Sequence, residues 1–260
     1  MYHLERACEA VGIDLKFLVM SVEKARDTHL AVEKAKFEKK ENRKDRAQRR
    51  KFDEAEVDLS FYENLDKDQD KIVYGFTLNF EGLRPALASE PHVFCIDFCH
   101  TKAGCLGGSV KLDGNHQQVV AAYAGFDGMN ESNVTWNVLT QTLLRFLGDD
   151  VNNEQTTMIL DEAIAGLACS KRWLRFVRLF RCLRHRLMTV SNGGPPGTAE
   201  AYSKAASAKT LGRLLAAKES MTPFLRRKVD NVPDAELFPA ANKRQMYGQA
   251  TTNPIESHWA

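Results

Sequence analysis

A mixed α/β domain, a sheet flanked by helices, is the predicted fold class, and three observations predict it. VFCID at residues 93–97 and TTMIL at 156–160 carry continuous apolar runs of strand length, as central strands do. Between them, Leu139, Leu143, Phe146 and Leu147 recur at helical spacing. Turn chemistry separates the segments, with DGNH at 113–116 and SNGGPPGT at 191–198.

Taken in order, residues from about 4 to 56 read as helix, with no proline and only Gly12. Residues 36–51 hold nine basic against three acidic residues, with only Phe37 and Ala47 apolar. That composition buries no face, so it reads as a solvated helical arm or as one that contacts phosphates. Residues 1–65 are therefore taken as a helical, basic N-terminal arm, and 66–260 as the core. DKIVYGFTLNF carries β-branched and aromatic residues and predicts a strand or hairpin leading into the core. VFCID, then 104–112 and 118–126, predict three strands. A helix is expected from about Ser132, a fourth strand over 156–160, and a helix after it with Ile164 and Leu167 inward. KRWLRFVRLFRCLRHRL reads as part helix and part strand. Beyond the SNGGPPGT break, 199–218 reads as helix, then a polar stretch with Pro223, Pro233 and Pro239. This is a helical insertion over about 195–250. Three antiparallel-type strands, a helix, then alternating strand and helix is the order of an RNase H-like sheet. That topology is one of several that a mixed α/β pattern admits.

The chain has 260 residues, 43% hydrophobic and 27% charged, enough for one large domain or a domain with an appendage. No apolar run reaches membrane-spanning length, and no membrane partner is expected. The N-terminus lacks the apolar stretch of a secretory signal. The six cysteines are expected to be reduced thiols. The net charge of +2 leaves any nucleic-acid surface to local clustering.

The chemistry concentrates in acids. Asp97 and Asp161 each end an apolar run, where a carboxylate is costly unless something compensates it, as a divalent cation does. Glu256 lies far downstream in TTNPIESHW. Three carboxylates gathered by folding suit two magnesium or manganese ions and phosphoryl transfer on nucleic acid. Competing structural readings exist. Asp161 before EAIAGL also suits a helix cap. Asn253, Pro254 and Glu256 also suit a capping pattern. His100, three residues after Asp97, suits orienting a ligand or a scissile phosphate. Cys182 and His185 are two soft ligands where a structural zinc needs four, so their role is open. Trp136 reads as core. Arg172, Arg175 and Arg178 recur every three residues, which predicts one helical face. Lys171, Arg181 and Arg184 extend that run, followed by Arg186. This stripe reads as a contact for the DNA backbone or as a solvated face.

Five blocks in order carry a family resemblance: DFCHTKAGCLGG, DGNHQQVVAAYAGFDGMNESNVTW, ILDEAIAGL, CLRH and TTNPIESHW. Over residues 72–260 the chain resembles the Mutator-like (MULE-type) DDE transposases, whose core is RNase H-like. The resemblance carries the family's blocks onto Asp97 with His100 and Lys102, then Glu131 with Trp136. They continue on Asp161 with Gly166 and Leu167, Cys182 with His185, and Asn253 with Glu256 and Ser257. Cys99 stands where Thr is commoner, and Ser132 where Asn is commoner. The resemblance implies catalytic and metal-binding roles for Asp97, Asp161 and Glu256, with His100 beside them.

The implied activity is magnesium-dependent cleavage and strand transfer at element ends. The implied partners are terminal inverted repeats, target DNA and further copies of the chain, in the nucleus. The alternative is a transposase-derived DNA-binding or regulatory protein without catalysis. An RNase H-type nuclease fits the fold but not the last two blocks. The chain ends four residues after Glu256, and no Cys/His recognition module precedes the core. A fragment or decayed copy is the resulting expectation.

Overall fold

The computed structural model describes residues 2–42, 50–63, 65–67, 70–90, 92–112 and 117–242. Helix α1 (Tyr2–Glu9) ends near Gly12, whose left-handed φ of 76° turns the chain into β1 (Ile13–Ser21). The Ser21 hydroxyl then accepts from Lys24 N and caps α2 (Val22–Glu41). A short α3 (Ser60–Glu63) precedes β2 (Lys71–Phe80) and α4 (Arg84–Ala88). Then come β3 (Val93–His100), β4 (Gly104–Leu112), β5 (Gln118–Asp127) and α5 (Asn133–Leu147). After these run β6 (Thr157–Leu160), α6 (Ile164–Trp173), β7 (Arg178–Arg181) and α7 (Leu183–Ser191).

The seven strands form one mixed sheet in the order β1-β2-β5-β4-β3-β6-β7. Neighbours from β1 through β2, β5 and β4 to β3 pair antiparallel, whereas β6 pairs parallel with β3 and β7 parallel with β6. Parallel neighbours need crossovers, which α5 and α6 supply. Alternation along β3 splits its side chains between two cores. Ile96 and Phe98 join Trp136, Leu139 and Leu143 of α5 in the main core. Cys95 joins Val110, Ile159, Phe180 and Cys182 on the opposite face. Trp136 is fully buried, as expected of a core residue.

The N-terminal expectation of continuous helix is corrected by β1. It pairs antiparallel with β2 from Ile13 opposite Phe80 to Ser21 opposite Lys71. IDLKFLVMS carries strand-favouring residues, and a partner about sixty residues away decides its state. The sheet therefore starts inside the segment read as an arm. Of the basic stretch, 36–41 completes α2, and Phe37 packs edge-on against Phe52 at 5.6 Å. Residues 43–49 lie outside the described residues.

The helical insertion takes the form of α8 (Thr198–Ala206), α9 (Leu211–Glu219), α10 (Pro223–Val229) and α11 (Asp234–Leu237). Thr210 and Thr222 cap α9 and α10. Tyr202, Leu214, Leu225, Leu237 and Phe238 give this unit its own core, which Val190 of α7 joins. Among the described residues, no helix is long and apolar enough to cross a membrane. None of the six cysteines forms a disulfide.

Candidate active site

Parallel pairing of β3 with β6 brings the two aspartates together. Ile96 stands opposite Leu160, so Asp97, the next residue of β3, and Asp161, the first residue after β6, are brought side by side. Gly108 faces Asp97 from β4, so no side chain crowds it from that strand. Asp97 is only 5% exposed, and its Oδ1 accepts from Phe98 N at 2.8 Å. Asp161 Oδ1 accepts from Ala163 N at 2.9 Å. That bond starts the turn into α6, so the capping reading and the site reading fall on one residue. Burial pushes the Asp161 carboxyl up to about 6. The Ala163 N–H opposes the rise, the carboxylates of Glu131 and Asp97 add to it, and His185 opposes it.

His185 comes from the other direction. Cys182 N donates to Leu160 O at 2.6 Å, which docks the start of α7 beside the Asp161 turn. Cys182 is fully buried at the N-cap, and His185 lies one turn on. The His185 imidazole is held up, to about 9, first by its hydrogen bond with Cys182 and then by Asp97 and Asp161. Its Nδ1 is buried without a hydrogen-bond partner. Burial likewise pushes the Cys95 thiol up, with Cys182 and Asp97 contributing.

Glu131, which the resemblance named with Trp136 but to which no role was given, is a further acid of the site. Its Oε1 accepts from Trp136 Nε1 at 2.7 Å, and its Oε2 lies 3.6 Å from His100 Nε2. Its charge reaches both Asp161 and Cys105. The only signal in the sequence was its spacing to Trp136. His100, at the end of β3, is mostly exposed and faces Glu131. Lys102 is exposed in the turn that follows. Glu256, with Asn253 and Ser257, lies outside the described residues.

Two expectations fail here. Ile164 is not inward but 85% exposed, because α6 packs through Gly166, Leu167, Cys169 and Ser170 instead. The arginine stripe is not a helical face. α6 stops at Trp173, Arg175 follows in a turn, and Arg178 opens β7. In a strand, a spacing of three puts Arg178 and Arg181 on opposite faces. Arg172 lies over the Trp173 ring at 5.1 Å, and Arg184 is exposed. Lys171 and Arg181 both pair with Glu236, each at 3.3 Å. Even so, Lys171, Arg175 and Arg178 line one recess of about 290 Å³ with Glu236.

The donors fit a hard divalent cation in kind. Asp97 and Asp161 are adjacent carboxylates, and burial first, then the negative charges of Glu131 and Asp97, raise the Asp161 carboxyl, a condition that a cation relieves. Among the described residues, however, no three His, Cys, Asp or Glu side chains form a group that could hold a metal ion. Compared with known proteins, the chain matches no family model and no curated protein.

Proposed function

We propose that this chain is the catalytic core of a Mutator-like DDE transposase, acting on DNA in the nucleus. The observation that carries the reading is the meeting of Asp97, inside β3, with Asp161 at the end of β6, and His185 beside them. The strand order β5-β4-β3-β6-β7, antiparallel and then parallel, is compatible with an RNase H-like sheet and supports it.

In this reading Asp97 and Asp161 hold magnesium or manganese through hard oxygen ligands, with Glu256 as the third ligand. The chemistry that two such ions supply is activation of the attacking oxygen and charge neutralisation at the leaving one. Hydrolysis forms a bond from water oxygen to phosphorus and breaks the bond to the 3′ oxygen, which leaves as the free hydroxyl. That hydroxyl then attacks a phosphodiester of target DNA and displaces its 3′ oxygen. The residues' own part is positional and electrostatic. Ala163 N–H fixes Asp161, Phe98 N–H fixes Asp97, and a protonated His185 offers positive charge beside a phosphate. Lys171, Arg172, Arg175, Arg178 and Arg184 are carried forward as the DNA-facing set, whereas Arg181 is turned inward onto Glu162 and Glu236. The recess lined by Lys171, Arg175 and Arg178 is its best-formed part.

The second reading is a transposase-derived DNA-binding or regulatory protein without catalysis. One experiment separates the two. Magnesium or manganese at millimolar concentration should raise the melting temperature, and the chain should nick duplex DNA. Asp97→Asn should lose both. A wild-type melting temperature indifferent to both metals would move the assignment to the second reading.

A further inference from the structure

We infer that the helical insertion positions the Asp161 turn and His185 through a buried chain of ion pairs, making Glu162, Arg186, Arg181 and Glu236 positioning residues. This deepens, and rests on, the metal-dependent reading of that site. Glu162 directly follows Asp161 in the chain, and Arg186 directly follows His185. The two are joined: Arg186 Nη1 donates to Glu162 Oε1 at 2.7 Å. Arg181 Nη1 lies 3.5 Å from the same Glu162 oxygen. From Arg181 the chain continues to Glu236 of α11, Nε to Oε2, at 3.3 Å. Glu236 Oε1 then meets Lys171 of α6 at 3.3 Å.

The insertion touches this chain at three helices. Glu236 belongs to α11. The Lys228 backbone carbonyl of α10 accepts from Arg186 Nη2. Tyr202 of α8 is buried within electrostatic reach of Arg186, Glu162 and Arg181.

Stability alone is a poor account of the arrangement. The Glu162, Arg181, Arg186 and Glu236 side chains are only 6 to 16% exposed. Buried ion pairs roughly break even against well-packed apolar residues, although breaking one pair is costly. What they supply is position. The Arg186 pair fixes Glu162, and Glu162 lies inside the turn whose Ala163 N–H holds Asp161 Oδ1. A shift of α10 or α11 is thereby passed to the catalytic turn and to His185 together.

Glu236→Gln tests this, because it weakens the α11 contact yet leaves the Glu162–Arg186 pair and the Lys228 carbonyl contact in place. Hydrogen exchange at Ala163 N–H is the readout. Its protection should fall by between about twofold and thirtyfold, the range by which such networks couple sites. The amides of β3 should be unaffected. Metal-dependent nicking should lose kcat by a similar factor with KM for DNA unchanged, and Glu236→Asp should recover part of the loss. If Glu236→Gln loses protection throughout, the apolar pair Arg181→Met with Glu236→Leu carries the test. That pair should keep the wild-type melting temperature and still expose Ala163. Unchanged Ala163 protection in a folded variant overturns the inference. If the wild type does not nick DNA, the transposase reading fails, while the exchange measurement still decides the coupling.

Discussion

Replacing Asp161 by Asn should stabilise the metal-free protein at neutral pH. Asn keeps an Oδ1 that accepts from Ala163 N, so the turn into α6 survives. What disappears is a buried charge crowded by Glu131 and Asp97. Raising the carboxyl from 3.8 to about 6 corresponds to about 3 kcal/mol against the ionised form. Residual solvent access lowers this to about 2 kcal/mol. The sign is that of an acid whose folded pKa lies above its unfolded one. Below pH 3.8 both states are protonated and there is no penalty. The penalty grows as pH rises from 3.8 to about 6 and stays constant above that. In chelator at pH 7.5 the variant should melt about 4 to 8 °C above the wild type, and the gap should close by pH 4. A variant that melts lower at pH 7.5, or a gap unchanged between pH 7.5 and 4, would refute the crowded-carboxylate account.

The His185 ring should titrate near 9 by NMR, and Cys182→Ala should lower that midpoint. The stability this ring contributes is full below pH 6.5 and fades as pH rises through about 9; a midpoint at 6.5 would remove the Cys182 interaction from the site. Gly166→Ala should destabilise by about 1 to 3 kcal/mol, because a Cβ there meets the buried Trp136 ring at 2.7 Å. Gly212→Ala in α9, with open space around the new carbon, should instead stabilise by about 0.5 to 1 kcal/mol, and thermal melts of the two compare the signs. Binding to duplex DNA should weaken steeply with salt and be nearly indifferent to sequence, and neutralising Arg172, Arg175 and Arg178 together should flatten that slope. An unchanged slope would return these residues to a solvated surface and turn attention to the basic end of α2.

The two aspartates were legible because a carboxylate after a continuous apolar run has few physical resolutions, although β3 runs on past Asp97 to His100 and only Asp161 ends its strand. Asp97 could only be buried beside something, and the parallel pairing supplied Asp161. The β3-to-β6 order was legible too, since apolar runs, the helical spacing in α5 and the turns all agreed. β1 was not. IDLKFLVMS follows a helix and precedes another, and its strand state depends on β2, which no local pattern announces. The arginine stripe failed for a related reason. A spacing of three means one face in a helix and opposite faces in a strand, so the inference was only as good as the state assumed at Arg175 and Arg178.

Glu131 and Glu236 show where reading from the chain stops. Each is an ordinary acid in its own segment, and neither follows an apolar run that would demand an explanation. Glu131 gains meaning because Trp136 and His100 hold it within electrostatic reach of Asp161. Glu236 gains it because α11 packs beside β7 and meets an arginine 55 residues earlier. A costly position can be read from one segment, since its cost is local. Its compensation cannot, because the compensating group arrives from another segment and only the fold says which. The candidate site divides along that line: Asp97 and Asp161 could be named in advance, and the residues that hold them could not.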